Sequence, residues 1–238
     1  MREIITESID IPVADGTAMG AYVARPAGAG PHPGLLLFQE IFGINEHVRD
    51  VARRFAAEGY VVLAPELFHR FAPGYQGSYD DIPASIAMAG KLVPEGLVAD
   101  IKASAAALAG HAAVAKGRIG AIGYCMGGGM AFAANALTEL EAAVSYYGTP
   151  QAEMQEQLAA SLHAPMLFVW AGKDVYISLE RRREVSDLMR KHGKPFVEAE
   201  WTSANHGFFC DAREDYHAAS AKQAWALTLA FLAEHLGA

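Results

Sequence analysis

A cysteine set among glycines is the feature of this chain best suited to chemistry. Residues 120–129 read Gly-Ala-Ile-Gly-Tyr-Cys-Met-Gly-Gly-Gly. A β-branched run through Ile119 and Ile122 therefore stops at a small-residue turn with Cys125 at its apex. A nucleophile elbow needs this succession of strand, strained turn and helix, so that the reactive side chain stands clear of the sheet while backbone N–H groups point at an oxyanion. Gly123 and Gly127 sit where a Cβ would crowd the turn or the helix behind it, and the N–H of Met126 is placed to donate to the oxyanion. The bland alternative is a buried structural cysteine in a glycine-rich turn, so other residues must decide.

A thiol with an ordinary pKa of about 8.5 becomes a competent nucleophile when a base accepts its proton. His206, in the glycine-flanked loop Ser203-Ala204-Asn205-His206-Gly207, is the candidate base. Asp174, in Gly172-Lys173-Asp174, could accept a hydrogen bond from the other ring nitrogen and fix the tautomer. The order nucleophile, acid, histidine is that of the α/β-hydrolase fold. Glu40 follows a buried strand, where a carboxylate must be solvated, paired or hydrogen-bonded. It either caps the helix beginning near Asn45 or lies against the Cys125 thiol as an auxiliary proton acceptor, with the Ile41 N–H as second oxyanion donor.

These residues need a frame. The 238 residues, 52% hydrophobic and 19% charged, suffice for one large core, so a single domain over 1–238 is expected. The formal charge of −8, with scattered Lys and Arg, disfavours a nucleic-acid surface, and Arg181-Arg182-Arg183 reads as the solvated face of a helix. Two cysteines, Cys125 and Cys210, make no disulfide framework, the N-terminus shows no apolar signal region, and no apolar run approaches the roughly 20 residues of a membrane helix. The expectation is a soluble cytoplasmic protein, compatible with a monomer, that binds neither membrane nor nucleic acid. No metal cluster is visible either: His32, His47, His69 and His111 are dispersed, and no C-x-x-C occurs.

Residues 3–12 and 17–25, separated by Ala14-Asp15-Gly16, read as an antiparallel edge hairpin. Gly34-Leu35-Leu36-Leu37-Phe38, Tyr60–Ala64, Ala142–Tyr147, Pro165–Ala171 and Phe196–Trp201 read as strands, several as continuous apolar runs covered on both faces. Helical spacing marks Glu46–Glu58, about Leu97–Leu108, the elbow helix through Met130 to Ala136, a helix from Ser178 to about Lys191, and Tyr216–His235 with Trp225 and Leu229 buried. The aromatic, Gly- and Pro-punctuated segment Pro65–Pro83, with Phe68, His69, Phe71, Tyr75 and Tyr79, is long enough to line a site. Strands alternating with helices predict an α/β fold with a mostly parallel sheet, helices on both faces and the antiparallel hairpin at one edge. Sites in such sheets lie beyond the carboxyl ends of the strands, where Glu40, Cys125, Asp174 and His206 all fall.

The chain resembles the dienelactone hydrolase (carboxymethylenebutenolidase) family of α/β hydrolases over nearly its whole length. The resemblance rests on Gln39-Glu40-Ile41-Phe42-Gly43 with Asn45 and Arg49, Gly-Tyr-Cys-Met-Gly-Gly, Tyr146-Tyr147-Gly148, Gly172-Lys173-Asp174 and His206-Gly207-Phe208. It implies a catalytic Cys125, Asp174 and His206, and Glu40 as the carboxylate that meets the resting thiol. It also implies hydrolysis of a small lactone or activated ester through a thioester acyl-enzyme, with no cofactor, and Tyr147, Tyr79 and Arg213 as candidate substrate contacts. Members acting on dienelactone hold the substrate carboxylate with two arginines. Here no arginine lies between Phe71 and Ile101, and Cys210 stands four past His206, with Arg213 the nearest substitute. The competing readings are a non-catalytic ligand-binding or thiol-sensing protein on the same fold and, with less support, a cysteine peptidase.

Overall fold

The computed structural model describes residues 2–28 and 30–237. Its eight strands are β1 (Ile4–Pro12), β2 (Ala18–Pro26), β3 (His32–Phe38), β4 (Val61–Pro65), β5 (Val114–Tyr124), β6 (Ala142–Tyr146), β7 (Met166–Ala171) and β8 (Phe196–Trp201). They form one sheet in the order β1-β2-β4-β3-β5-β6-β7-β8. From β4 to β8 the neighbours are parallel, whereas β2 runs antiparallel to β4 and β1 to β2. Period-two packing explains the apolar runs: in β3, Leu36 and Phe38 join the core on one face while Leu35 and Leu37 join that on the other. Each buried Leu or Phe contributes about 1.5–3 kcal/mol relative to exposure, so polar chemistry is deferred to the residues just past Phe38.

The helices are α1 (Glu46–Glu58), α2 (Ile82–Ala89), α3 (Pro94–Ala109), α4 (Met126–Leu137), α5 (Gln155–Ser161), α6 (Leu179–Lys191) and α7 (Ala218–Leu236). One face of the sheet is covered by apolar residues of α3, α4, α5 and α6, the other by α1 and α7. Helix α1 has the expected bounds because its ends are chemically marked. The Asn45 side chain accepts from the Val48 N–H, and Gly59 closes the helix at φ 109°. Asn45 thus performs the cap and leaves Glu40 free of that role. Ser178 caps α6 in the same way through the Arg181 N–H. No single helix among the described residues is long and apolar enough to cross a membrane.

Three expectations are corrected, and one helix is added. The segment after β4 is not loop throughout: Asp81 caps α2 by accepting from the Ala84 N–H, and Pro83 occupies its first turn. Helix α5 follows β6 without a strong apolar period to announce it. Trp225 and Leu229 are only half-buried, because the inward face of α7 is carried by Ala221, Ala224, Thr228 and Leu232. Arg182 is not solvated but 7% exposed, with its guanidinium on the Ala171 carbonyl and on Glu200 of the neighbouring strand. The β4 exit is fixed by charge as well: Arg70 grips the buried Asp100 of α3 through two bonds of 2.7 and 2.8 Å, and His69 Nε2 lies 3.1 Å from the same carboxylate.

Candidate active site

The turn between β5 and α4 holds Cys125 at φ 56°, ψ −122°, a backbone conformation that side chains rarely adopt. Close packing enforces it. A Cβ on Gly123 would meet the Gly127 carbonyl at 1.8 Å, and one on Gly127 would meet the Phe38 carbonyl at 2.3 Å. Helix α4 therefore starts directly against the ends of β3 and β5, and the strain of about 1–3 kcal/mol at Cys125 is held by that packing. The sulfur-bearing residue sits at the positive end of the α4 dipole, beside the N–H of Met126, the first residue of the helix.

Asp174 and His206 come from the exits of β7 and β8, which are stitched together. Gly172 N–H donates to Trp201 O at 2.9 Å and Lys173 N–H to Ala204 O at 2.9 Å. Asp174 is aimed by its own turn: Oδ1 accepts from the N–H groups of Tyr176 and Ile177, both at 2.8 Å, which leaves Oδ2 for His206 Nδ1, also at 2.8 Å. The imidazole is 5% exposed and lies between the rings of Tyr147 and Tyr176, each 4.9 Å away. Burial favours its neutral form, but the negative charge at Cys125 and the hydrogen bond to Asp174 prevail and push it up to about 10. Cys125 and Asp174 therefore favour the protonated form of His206, which shares its cavity with the sulfur.

Cys125, Met126, Ile41, His206, Tyr147 and Arg213 border one cavity of about 220 Å³, completed by an apolar wall of Phe42, Ile82, Ile86, Tyr176 and Ile177. This is below the roughly 300–1,000 Å³ of drug-sized ligand sites, so it suits a small reacting group. Ile82, Ile86 and Tyr176 were not foreseen as wall residues. The first two stand one helical turn apart at the start of α2, where Asp81 and Pro83 are a helix-start signal in the sequence. Tyr79 is not among the lining residues: it packs edge-on to Phe42 at 4.7 Å, with its hydroxyl accepting from Asn45 Nδ2 and from the Cys210 thiol.

Arg213 does reach the cavity. A run of tight turns, Cys210 N–H to Gly207 O and Arg213 N–H to Cys210 O, folds the loop back, and Gly207 at φ 82° leaves the guanidinium its space, since a Cβ there would meet Nη1 at 2.4 Å. Nη1 is 3.7 Å from Glu40 Oε1 and Nη2 is 3.1 Å from Asp215 Oδ2. Glu40 is 1% exposed and neither carboxylate oxygen has a hydrogen-bond partner. The reading of His47 as an isolated histidine does not survive folding, because one ligand atom each from Glu40, His47 and Cys210 lie within 4.8 Å of one another. Burial also pushes the Cys210 thiol up to about 11, helped by the Glu40 charge, which disfavours it as a nucleophile.

The model of the Dienelactone hydrolase family matches residues 19–236. A protein of Salmonella typhi named "Putative carboxymethylenebutenolidase" is 33% identical over 233 residues, covering 94% of this chain and 86% of its own. A protein of the same name from Synechocystis is 29% identical over 236 residues, covering 94% of both. The crystal structure of a "Putative Dienelactone Hydrolase" from Klebsiella pneumoniae superposes with a TM-score of 0.87 at 33% identity, over 97% of this chain and 99% of that one. With the sheet order, the elbow and this match over nearly its whole length, the chain belongs to the dienelactone hydrolase family of α/β hydrolases.

Proposed function

We propose that this hydrolase cleaves small esters or lactones by acyl transfer to Cys125, with His206 as the proton carrier, Asp174 as its orienting partner, and the N–H groups of Met126 and Ile41 as oxyanion donors. The observation that carries the reading is His206, tied to Asp174 at 2.8 Å and sharing one cavity with a cysteine on a strained elbow. The Cys125 sulfur attacks the carbonyl carbon, and the C=O electron pair moves onto the oxygen held by the two N–H groups. Collapse breaks the bond to the leaving oxygen, which takes the proton from His206 Nε2 and departs as the alcohol, or stays tethered if the substrate is a lactone. Water then gives a proton to the neutral imidazole and attacks the thioester. The C–S bond breaks, the carboxylic acid leaves, and the thiolate–imidazolium pair is restored.

Arg213 already faces Glu40 and Asp215, so its charge is matched before any substrate arrives. The wall around the sulfur is apolar. Both features favour an uncharged acyl group, and the small cavity favours a short one. Intact-mass spectrometry across a panel of esters and lactones tests the proposal. An acyl adduct that forms on the parent and is missing in Cys125→Ala is expected; an adduct retained in Cys125→Ala overturns it.

A further inference from the structure

We infer that Glu40, His47 and Cys210 form a buried binding site for a borderline divalent metal ion of the Zn²⁺ class, joined to the reaction cavity through Arg213. The three side chains come from the exit of β3, the first turn of α1 and the loop after His206, and are 1%, 6% and 0% exposed. One ligand atom from each lies within 4.8 Å of the others. Ligands of tetrahedral zinc, at bond lengths of about 2.0–2.3 Å, stand roughly 3.4–3.7 Å apart, so small side-chain rotations would close the set.

The second observation is that two of the three side chains carry buried polar atoms without a hydrogen-bond partner, while the third, Cys210, donates its thiol proton to Tyr79. Both oxygens of Glu40 and Nε2 of His47 are buried without a hydrogen-bond partner, a state that costs free energy and that native structures avoid. On the other side of the His47 ring, the Asp211 carboxylate stands 3.9 Å from Nδ1, from where a small side-chain shift would bring it into hydrogen-bond reach of the imidazole. A carboxylate, a neutral imidazole and a thiolate carry two negative charges, which balance a divalent cation among buried side chains. Mixed O, N and S donors suit Zn²⁺ or Co²⁺ rather than Mg²⁺ or Ca²⁺. The cation that opposes binding is Arg213, 3.7 Å from Glu40 Oε1, and it keeps Asp215 at 3.1 Å as its other partner. On binding, the metal–sulfur bond replaces the S–H bond of Cys210 and one proton passes to water.

Co²⁺ titration of the chelator-treated, phosphine-reduced protein tests the site independently of hydrolysis. One equivalent should bind, producing a thiolate-to-cobalt charge-transfer band and releasing one proton per ion, and Zn²⁺ should displace it. The band should persist in Cys125→Ala and disappear in Cys210→Ser and His47→Gln, with unchanged far-ultraviolet dichroism showing that the variants fold. Absence of stoichiometric binding overturns the inference, as does a band that survives in Cys210→Ser or vanishes in Cys125→Ala.

Discussion

Nδ1 of His206 lies 2.8 Å from Oδ2 of Asp174, whose other oxygen is held by two backbone N–H groups at 2.8 Å each. The carboxylate is therefore fixed from behind, and the tautomer of the imidazole follows from it. Asp174→Asn keeps the shape but presents a donor where an acceptor is needed. It should lower kcat on the order of 10³- to 10⁴-fold with little change in KM. Steady-state kinetics on an activated ester checks this, and a loss under tenfold would remove Asp174 from the proposed triad.

The two cysteines should separate sharply. Cys125→Ala should abolish hydrolysis and fold normally, because the elbow tolerates a smaller side chain better than the reaction tolerates the loss of its nucleophile. Cys210→Ala should keep most activity, since that thiol is fully buried and donates only to Tyr79. Equal activities in the two variants would contradict the assignment.

Arg213 and Glu40 are 8% and 2% exposed at their side chains and oppositely charged. Removing one leaves the other buried and uncompensated, so Arg213→Ala should destabilise the fold by about 3 kcal/mol in urea unfolding. Adding Glu40→Gln should recover much of that loss. For specificity, a matched acid and methyl ester pair should show the ester hydrolysed at least as well as the acid. A strong preference for the acid that disappears in Arg213→Ala would show that the guanidinium grips a substrate carboxylate instead.

The raised pKa of His206 is also a statement about stability. Its folded value of about 10 exceeds the ordinary 6.5, so its contribution is complete below about pH 6.5 and is lost as pH rises through about 10. Thermal unfolding should show Tm falling across that window. In Cys125→Ala the negative charge that raises His206 is gone, and the fall should shrink. An identical pH dependence in parent and variant would refute the ion-pair account.

Much of the site could be read from the chain itself. Cys125, Asp174 and His206 are each marked by local chemistry: a glycine-framed apex, a Gly-Lys-Asp stop after an apolar strand, and a histidine before a glycine. The mostly parallel sheet was legible because runs such as Leu35–Phe38 and Met166–Ala171 are apolar on both faces, and α1 because its caps are in the sequence. What tertiary structure alone decided are the encounters between distant segments. Arg182 looked solvated until β8 brought Glu200 to it, and Trp225 looked buried until Ala221 and Ala224 took the inward face of α7. His47 looked solitary until the loop after His206 brought Cys210 beside it. Arg213 enters the cavity because Gly207 leaves it room, a packing fact with no local signature. Periodicity reports which way a side chain faces its own element; the partner waiting there is set by loop closure between segments far apart in the chain.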